Sequence, residues 1–347
     1  MEGRSGERRE APSGNLPAMT DGYSSDHDYF ASYADPGVHR LMIQDHARTD
    51  AYRRAIEKVA KGKRVLDIGT GTGILSMFAA RAGAAQVDAV DSSAIIDLAR
   101  EIADDNGLGD RIRFHRGRAE ELDLDQEYDL VISEWMGFFG LAELMFESVI
   151  DARDRYLAPG GHMLPGHLRL RVAPVCDSHV HEDLGIGLWE RPVYGFDFSR
   201  ILETEVQSFI TAACDLKPSS LLGPAVTVLD LDLDNGTADD FFFTSAESMT
   251  VEQEGTVHGF GGWFEVDLAE GVELSCSPMH VQTHWRQSFF PVRPFPVERG
   301  DLIRFAMKAQ RADVGDQRLP VYFIDGEVLR DDRVVHRFFY RHHGSFE

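Results

Sequence analysis

Residues 64–73 read Arg-Val-Leu-Asp-Ile-Gly-Thr-Gly-Thr-Gly. Arg64–Ile68 is short and apolar, which predicts a buried strand. It runs straight into Gly69, Gly71 and Gly73, and glycine lets a backbone turn sharply and approach a ligand closely at a strand's carboxyl end. Ile74–Ala82 predicts the helix that follows. Outward from there, Gln86–Val90, Ile112–His115 and Tyr128–Ser133 predict strands and Ser93–Asp105 a helix. Leu144–Tyr156 predicts a helix stopped by Ala158-Pro159-Gly160-Gly161. Strands alternating with helices of this length imply parallel pairing and a doubly wound α/β sheet.

On the N-terminal side, residues 37–60 predict one or two helices, and residues 1–22 have too little to bury to be anything but a disordered tail. The first folded unit therefore spans 23–165. After Pro165 the period changes to two: Arg169–Val175, Ala225–Asp232, Val257–Val266, Leu302–Met307, Val321–Ile324 and Val334–Tyr340 alternate. This predicts a second, antiparallel β domain over 166–347 with a helical insertion near 186–222, where Phe198–Cys214 keeps a helical period.

The chain has 347 residues, of which 43% are hydrophobic, enough for two packed domains. Its formal net charge of −23 argues against nucleic acid and anionic membranes as partners, and suits a cationic substrate. Only five of the 35 basic Lys+Arg residues are Lys, which points to a GC-rich, bacterial gene. Cys176, Cys214 and Cys276 form no CxxC pair and no zinc pattern, so free thiols in a reducing cytosol are expected. No apolar run approaches a membrane span and no signal-peptide core follows the N-terminal charges; the expectation is a soluble cytoplasmic protein.

The glycine loop has the spacing G-x-G-x-G. A dinucleotide fingerprint would need glycine at Ile74, so a pyrophosphate site fits poorly. The D-x-G-x-G-x-G form starting at Asp67 resembles motif I of class I S-adenosylmethionine (AdoMet) methyltransferases; the plain alternative is a tight strand–helix turn. Asp91 ends the second strand, 22 residues past Gly69, where an acid bonds the ribose hydroxyls of an adenosine. It could instead start the next helix as an N-cap. Ala119-Glu120 follows the third strand, where adenine-edge contacts arise; alone, Glu120 would be a solvated charge.

The segment Ser133-Glu134-Trp135-Met136-Gly137-Phe138-Phe139-Gly140-Leu141-Ala142-Glu143 follows the fourth strand. Two carboxylates bracket an aromatic, glycine-rich turn, and partly dry carboxylates need a cationic partner. A guanidinium is a planar fork of donors that two carboxylates can grip from two sides. A glycosidase-type acid pair lacks the fold context.

Here the sequence resembles the protein arginine methyltransferase family over nearly its whole length from Tyr29. SEWMG…E looks like that family's double-glutamate hairpin, Tyr29–Tyr33 its YFxSY helix, 65–84 its extended motif I, and Thr283-His284-Trp285 its THW loop. Trp189–Phe196 looks like its lead into a dimerisation arm. The resemblance implies a Rossmann-like methyltransferase domain, a β-barrel-like domain with a helical arm, and a homodimer. It implies AdoMet as cofactor, S-adenosylhomocysteine as product, and no metal. Position by position, Glu134 and Glu143 match the guanidinium-binding glutamates, and Asp45 and His284 a proposed proton relay. Tyr33, His39, Met42, Arg48, Asp67, Gly69, Gly71, Asp91, Ala119 and Glu120 match cofactor-side positions, with Arg48 expected on the cofactor carboxylate. Without the resemblance, His39, His284 and Met42 would read as core. Departures are Asp91 for a frequent Glu, Phe138 for a frequent Tyr, and Ala142 for a bulky aromatic. Three activities remain open: methylation of protein arginine, methylation of free arginine or a small guanidino metabolite, and an inactive scaffold partnering an active homologue.

Overall fold

The computed structural model describes residues 35–142, 144–207, 212–312 and 319–344; the predicted tail, Tyr29–Tyr33 and Glu143 lie outside them. Helices α1 (Pro36–Gln44) and α2 (His46–Val59) open the described chain. Asp45 separates them: its backbone leaves helical geometry while its side chain caps α2, accepting the Arg48 N–H at 3.0 Å.

Next come β1 (Arg64–Ile68), α3 (Ile74–Ala82), β2 (Gln86–Asp91), α4 (Ile95–Asp105), β3 (Ile112–Arg116), β4 (Tyr128–Ser133), α5 (Phe146–Tyr156) and β5 (Leu157–Leu164). They form a parallel sheet of order β3-β2-β1-β4-β5. The chain builds outward from β1 to β3, then returns to the other side of β1 as β4. The strand order therefore reverses between β1 and β4, which is where open α/β sheets bind ligands. Ile68 pairs with Ser133 there, so Gly69 and Glu134 leave the sheet side by side. Ala158–Gly161, expected only to stop a helix, lies inside β5; an edge strand tolerates proline because its outer N–H needs no partner.

The second half is two antiparallel sheets. One has order β7-β12-β10-β6-β8, with β11 on β10; the other has order β15-β14-β13-β9. Their strands are β6 (His167–Val175), β7 (Ala212–Cys214), β8 (Val226–Asp232), β9 (Thr244–Thr250), β10 (Gly255–Ala269), β11 (Val272–Ser275), β12 (Gln287–Val297), β13 (Leu302–Arg311), β14 (Pro320–Arg330) and β15 (Arg333–His343). Phe260 joins the sheets, its ring within 6 Å of those of Phe305 and Phe338.

The insertion is less helical than its sequence suggests. α6 (Ser178–Asp183) precedes it and α7 (Ser199–Val206) lies within it, but the helix predicted to run to Cys214 ends at Val206, and Ala212–Cys214 pairs with β12 instead. Leu221 and Leu222, at the end of the predicted insertion, are buried in the core. Leu188, Tyr194, Phe196 and Ile201 are exposed, Tyr194 at 97%; Phe209 and Ile210 lie outside the described residues. No described helix is long and apolar enough to cross a membrane.

Candidate active site

A cavity of about 300 Å³ opens at the carboxyl ends of β1 to β4 and reaches the 283–285 loop of the barrel. One wall is the glycine loop. Gly69, Gly71 and Gly73 have φ of +70°, +54° and +79°, a left-handed region that favours glycine. A Cβ on Gly71 would lie 2.9 Å from His39 Cε1, so the loop also needs glycine for room.

Asp67, expected at the cofactor, is not on the cavity wall. It lies fully buried beneath the loop, where its Oδ2 accepts the hydroxyls of Thr70 (2.8 Å) and Ser76 (2.7 Å). It thus ties the loop to the first turn of α3, and the sequence could not separate this from a ligand contact. Burial pushes its carboxyl up to about 6 against the pull of those hydroxyls, and its Oδ1 has no hydrogen-bond partner among the described residues.

Asp91 does line the cavity. Its Oδ2 accepts the Gly71 N–H at 2.9 Å, while Oδ1 accepts the Ser93 N–H (2.8 Å) and hydroxyl (2.7 Å). It is not the N-cap of α4; Ala94 is. Each carboxylate oxygen carries two lone pairs, so Oδ2 keeps one for a ligand hydroxyl. Ala119 and Glu120 form a short turn after β3 on the same wall. Burial would raise the Glu120 carboxyl, but hydrogen bonds from Ser148 and its own backbone N–H, with Arg118 beside it, bring it below the usual range. Ser148 carried no signal in the sequence.

On the opposite wall, Arg48 and Glu134 form a pair whose side chains are each 7% exposed. Arg48 Nε and Nη2 donate to Glu134 Oε2 at 2.8 and 2.5 Å. Glu134 Oε1 accepts the Met136 N–H at 3.2 Å. The expectation placed Arg48 on a cofactor carboxylate; here its guanidinium sits on Glu134, with Nη1 donating to the Met42 carbonyl at 3.3 Å. His39 and Met42 line the same wall. Tyr52, one turn beyond Arg48 on α2, is fully buried and donates its hydroxyl to the Ser133 carbonyl at 3.2 Å. Its i,i+4 spacing from Arg48 was legible, but its role was not read.

His284 and Asp45 meet although 239 residues apart: the backbone N–H and Nδ1 of His284 both contact Asp45 Oδ2 at 2.8 Å. Burial would raise the Asp45 carboxyl; the His284 ring and the Arg48 and His284 amides outweigh it and hold it below the ordinary carboxylate range. Trp285 Nε1 donates to the Met136 carbonyl at 2.7 Å, locking the barrel loop to the hairpin. Phe139, at φ +50°, packs its ring on those of Phe290 and Tyr322, and Gly262 leaves the space this ring fills. The cavity thus joins an acid-lined, glycine-cradled half to a half holding a buried carboxylate, a guanidinium and an Asp–His pair.

A family model described as a methyltransferase domain matches residues 65–161, and one described as an arginine methyltransferase oligomerization subdomain matches 169–323. Protein arginine N-methyltransferase 1 of Schizosaccharomyces pombe is 37% identical over 317 residues, 89% of this chain and 92% of that protein. Its namesake in Dictyostelium discoideum is 35% identical, covering 87% and 91%. Among solved structures, a Trypanosoma brucei PRMT1 enzyme–prozyme heterotetramer with AdoHcy superposes with a TM-score of 0.83 at 31% identity, covering 90% of this chain and all of that one. Arabidopsis thaliana protein arginine methyltransferase 10 gives 0.81 at 29%, covering 92% of this chain and all of that one. With sequence, both domains and fold in agreement over nine-tenths of its length, the chain belongs to the protein arginine N-methyltransferase family.

Proposed function

We propose that the protein transfers methyl groups from AdoMet to a terminal guanidino nitrogen of arginine in proteins. The observation that carries this is Glu134. A nearly buried carboxylate, at the strand-order reversal and open to the cavity, already grips a guanidinium in the form of Arg48. The chemistry that selects Arg48 is the chemistry that would select an arginine substrate.

The residues fit the cofactor. Gly69, Gly71, Asp91, Glu120 and His39 all line the cavity: Asp91 would take the ribose hydroxyls, Glu120 the adenine edge and His39 the amino-acid end. When bound, AdoMet supplies an electrophilic methyl group on a sulfonium. A guanidinium keeps its proton at neutral pH and its nitrogens are poor nucleophiles. Glu134, with Glu143 as its second carboxylate, orients the group and draws positive charge from the attacking nitrogen. Positioning in a closed site then contributes much of the rate. Because Nδ1 of His284 points at Asp45, that nitrogen carries the hydrogen and Nε2 is left as the basic site for a departing proton.

Met42 in place of Phe, and the intact Thr283-His284-Trp285, resemble the subgroup of the family that makes asymmetric dimethylarginine, which supports that product. A homodimer is supported by the exposed Leu188, Tyr194, Phe196 and Ile201 on the arm and by the oligomerization model that matches 169–323. A bacterial source and a cytoplasmic location rest on composition alone, and the relatives named above are eukaryotic.

The test is to incubate purified protein with methyl-labelled AdoMet and either an Arg-rich protein or free arginine, and to read products by mass spectrometry. Methylarginine in the protein is the expected result. Label only on free arginine would replace this reading with the small-molecule one. Label on neither, with AdoHcy binding intact by calorimetry, would leave the scaffold role.

A further inference from the structure

His284 sits in a turn over 283–286, closed by the Arg286 N–H on the Thr283 carbonyl at 3.1 Å. The cofactor domain holds this turn through Asp45 and the Met136 carbonyl, as above. A second set of contacts reaches it from residues 214–216, the return leg of the arm insertion. Arg286 Nε and Nη2 donate to Asp215 Oδ1 and Oδ2 at 2.7 and 3.1 Å. Gln282, on the other flank of the turn, donates its amide to the same Asp215 Oδ1. Gln287 Oε1 accepts the Leu216 N–H at 2.9 Å, its Nε2 donates to the Cys276 carbonyl at 2.7 Å, and Cys214 pairs with Gln287 in the β7–β12 ladder. Asp215 therefore staples both ends of the turn that carries His284.

The turn needs such a staple. Arg286 has φ +56°, which is unfavourable for a residue with a Cβ and persists only where surrounding contacts over-determine it. The bidentate grip of Asp215 is such a contact, and it comes from the segment that continues into the arm. We propose that Asp215 and Arg286 are positioning residues for the methyl transfer: their pair holds Arg286 in the left-handed region, and this sets where His284 stands. The inference rests on the assignment of His284 to the reaction. Neither residue is expected to touch substrate or cofactor. Both are substantially exposed, and exposed pairs are worth little to global stability, so the signature is a local one.

The experiment compares Asp215→Ala, Arg286→Ala, the double variant and Arg286→Gly in the full-length protein. Each Ala variant is expected to lose roughly three- to tenfold in kcat, with AdoHcy affinity by calorimetry and mass by light scattering unchanged. The double variant should lose no more than either single one, because both remove the same staple. Arg286→Gly should recover most of the rate, because glycine holds the left-handed turn unaided. Wild-type kcat in the single variants, multiplied losses in the double, or Arg286→Gly as impaired as Arg286→Ala would each overturn the proposal. NMR separates this from failure of the functional reading. If the wild-type chain methylates no arginine, a shifted His284 imidazole signal in Asp215→Ala still supports the staple, and an unshifted one overturns it.

Discussion

Replacing Glu134 by Gln keeps the side chain's length and volume and removes its charge. In the native site Oε2 takes two donors from Arg48, and Oε1 takes the Met136 N–H. A carboxamide has one acceptor end and one donor end. If its oxygen faces Arg48, its NH2 faces the Met136 N–H; if it turns over, its NH2 faces a guanidinium. Either way two donors meet, and the weaker contact, at Met136, is the one to yield. That residue is also where Trp285 ties the barrel loop to the hairpin, so the disturbance reaches the mouth of the site. Because Arg48 is left nearly buried with no counterion among the described residues, stability falls by about 3–5 kcal/mol. Turnover should suffer as well, because charge is drawn from the guanidinium chiefly in the transition state. Removing one such electrostatic partner typically costs about 3–4 kcal/mol, a factor of ~100–1000. Single-turnover methyl transfer with saturating AdoMet measures this directly, beside AdoHcy calorimetry, which should change little. A rate within threefold of wild type would refute the guanidinium clamp, and with it the reading of Glu134 as more than a partner for Arg48.

Asp67→Asn tests the buried acid beneath the glycine loop. Its folded value near 6 lies above its free value, so ionisation increasingly destabilises the native state as pH rises from ~4 through 6, by about 3 kcal/mol when complete. In urea denaturation at pH 4.5 and 8 the variant should be relatively more stable at pH 8, and a pH-independent difference would contradict this. Gly71→Ala places a methyl at a φ of +54° and 2.9 Å from His39, and should weaken AdoHcy binding about tenfold or more; unchanged calorimetry would show that the loop can give way. Tyr52→Phe strips the hydrogen bond from the Ser133 carbonyl and should cost ~1 kcal/mol of stability and lower kcat more than it raises KM, because Glu134 follows directly on the loosened backbone. Equal stability by denaturant titration would argue that the carbonyl finds another donor.

The glycine-loop wall of the cavity was legible because it is local. Gly69 to Gly73 directly follow β1, Asp91 ends β2 and Ala119-Glu120 lies just beyond β3. Once a parallel sheet is inferred, each strand's carboxyl end must face the same edge, and chain position becomes spatial position. The barrel was harder. Thr244–Thr250 is polar at every position but Ala246 and Met249, and Gln287–Val297 carries three prolines, so neither read as a strand. Their pairing partners lie 40 or more residues away in places, and a lone strand shows no sign of which neighbour will satisfy it. The arm misled for a related reason: Phe198–Cys214 has helical periodicity, yet the edge of β12 offers Ala212–Cys214 a ladder that ends the helix early.

The opposite wall depends on contacts that no spacing announces. Arg48 reaches Glu134 across 86 residues, Trp285 reaches Met136 across 149, and His284 reaches Asp45 across 239. Resemblance paired Asp45 with His284, but it did not place Arg48 on Glu134 or Trp285 on Met136. That Arg48 occupies Glu134 rather than waiting for a carboxylate follows from burial: at 7% exposure neither charge tolerates solitude, and the other is the nearest counterion. Asp67, by contrast, lies under the loop at a net cost to its charge: the Thr70 and Ser76 hydroxyls offset only part of its burial, and what it gains the fold is the tie between the loop and α3. Residue identity limited what each group could bind, and the two-domain packing decided which of those options it took. A single α2 N-terminus, with Asp45 as its cap, Arg48 in its first turn and Tyr52 one turn on, grips the β4 hairpin and the barrel loop together. The site is therefore built at the junction of the domains, and neither domain's sequence holds it complete.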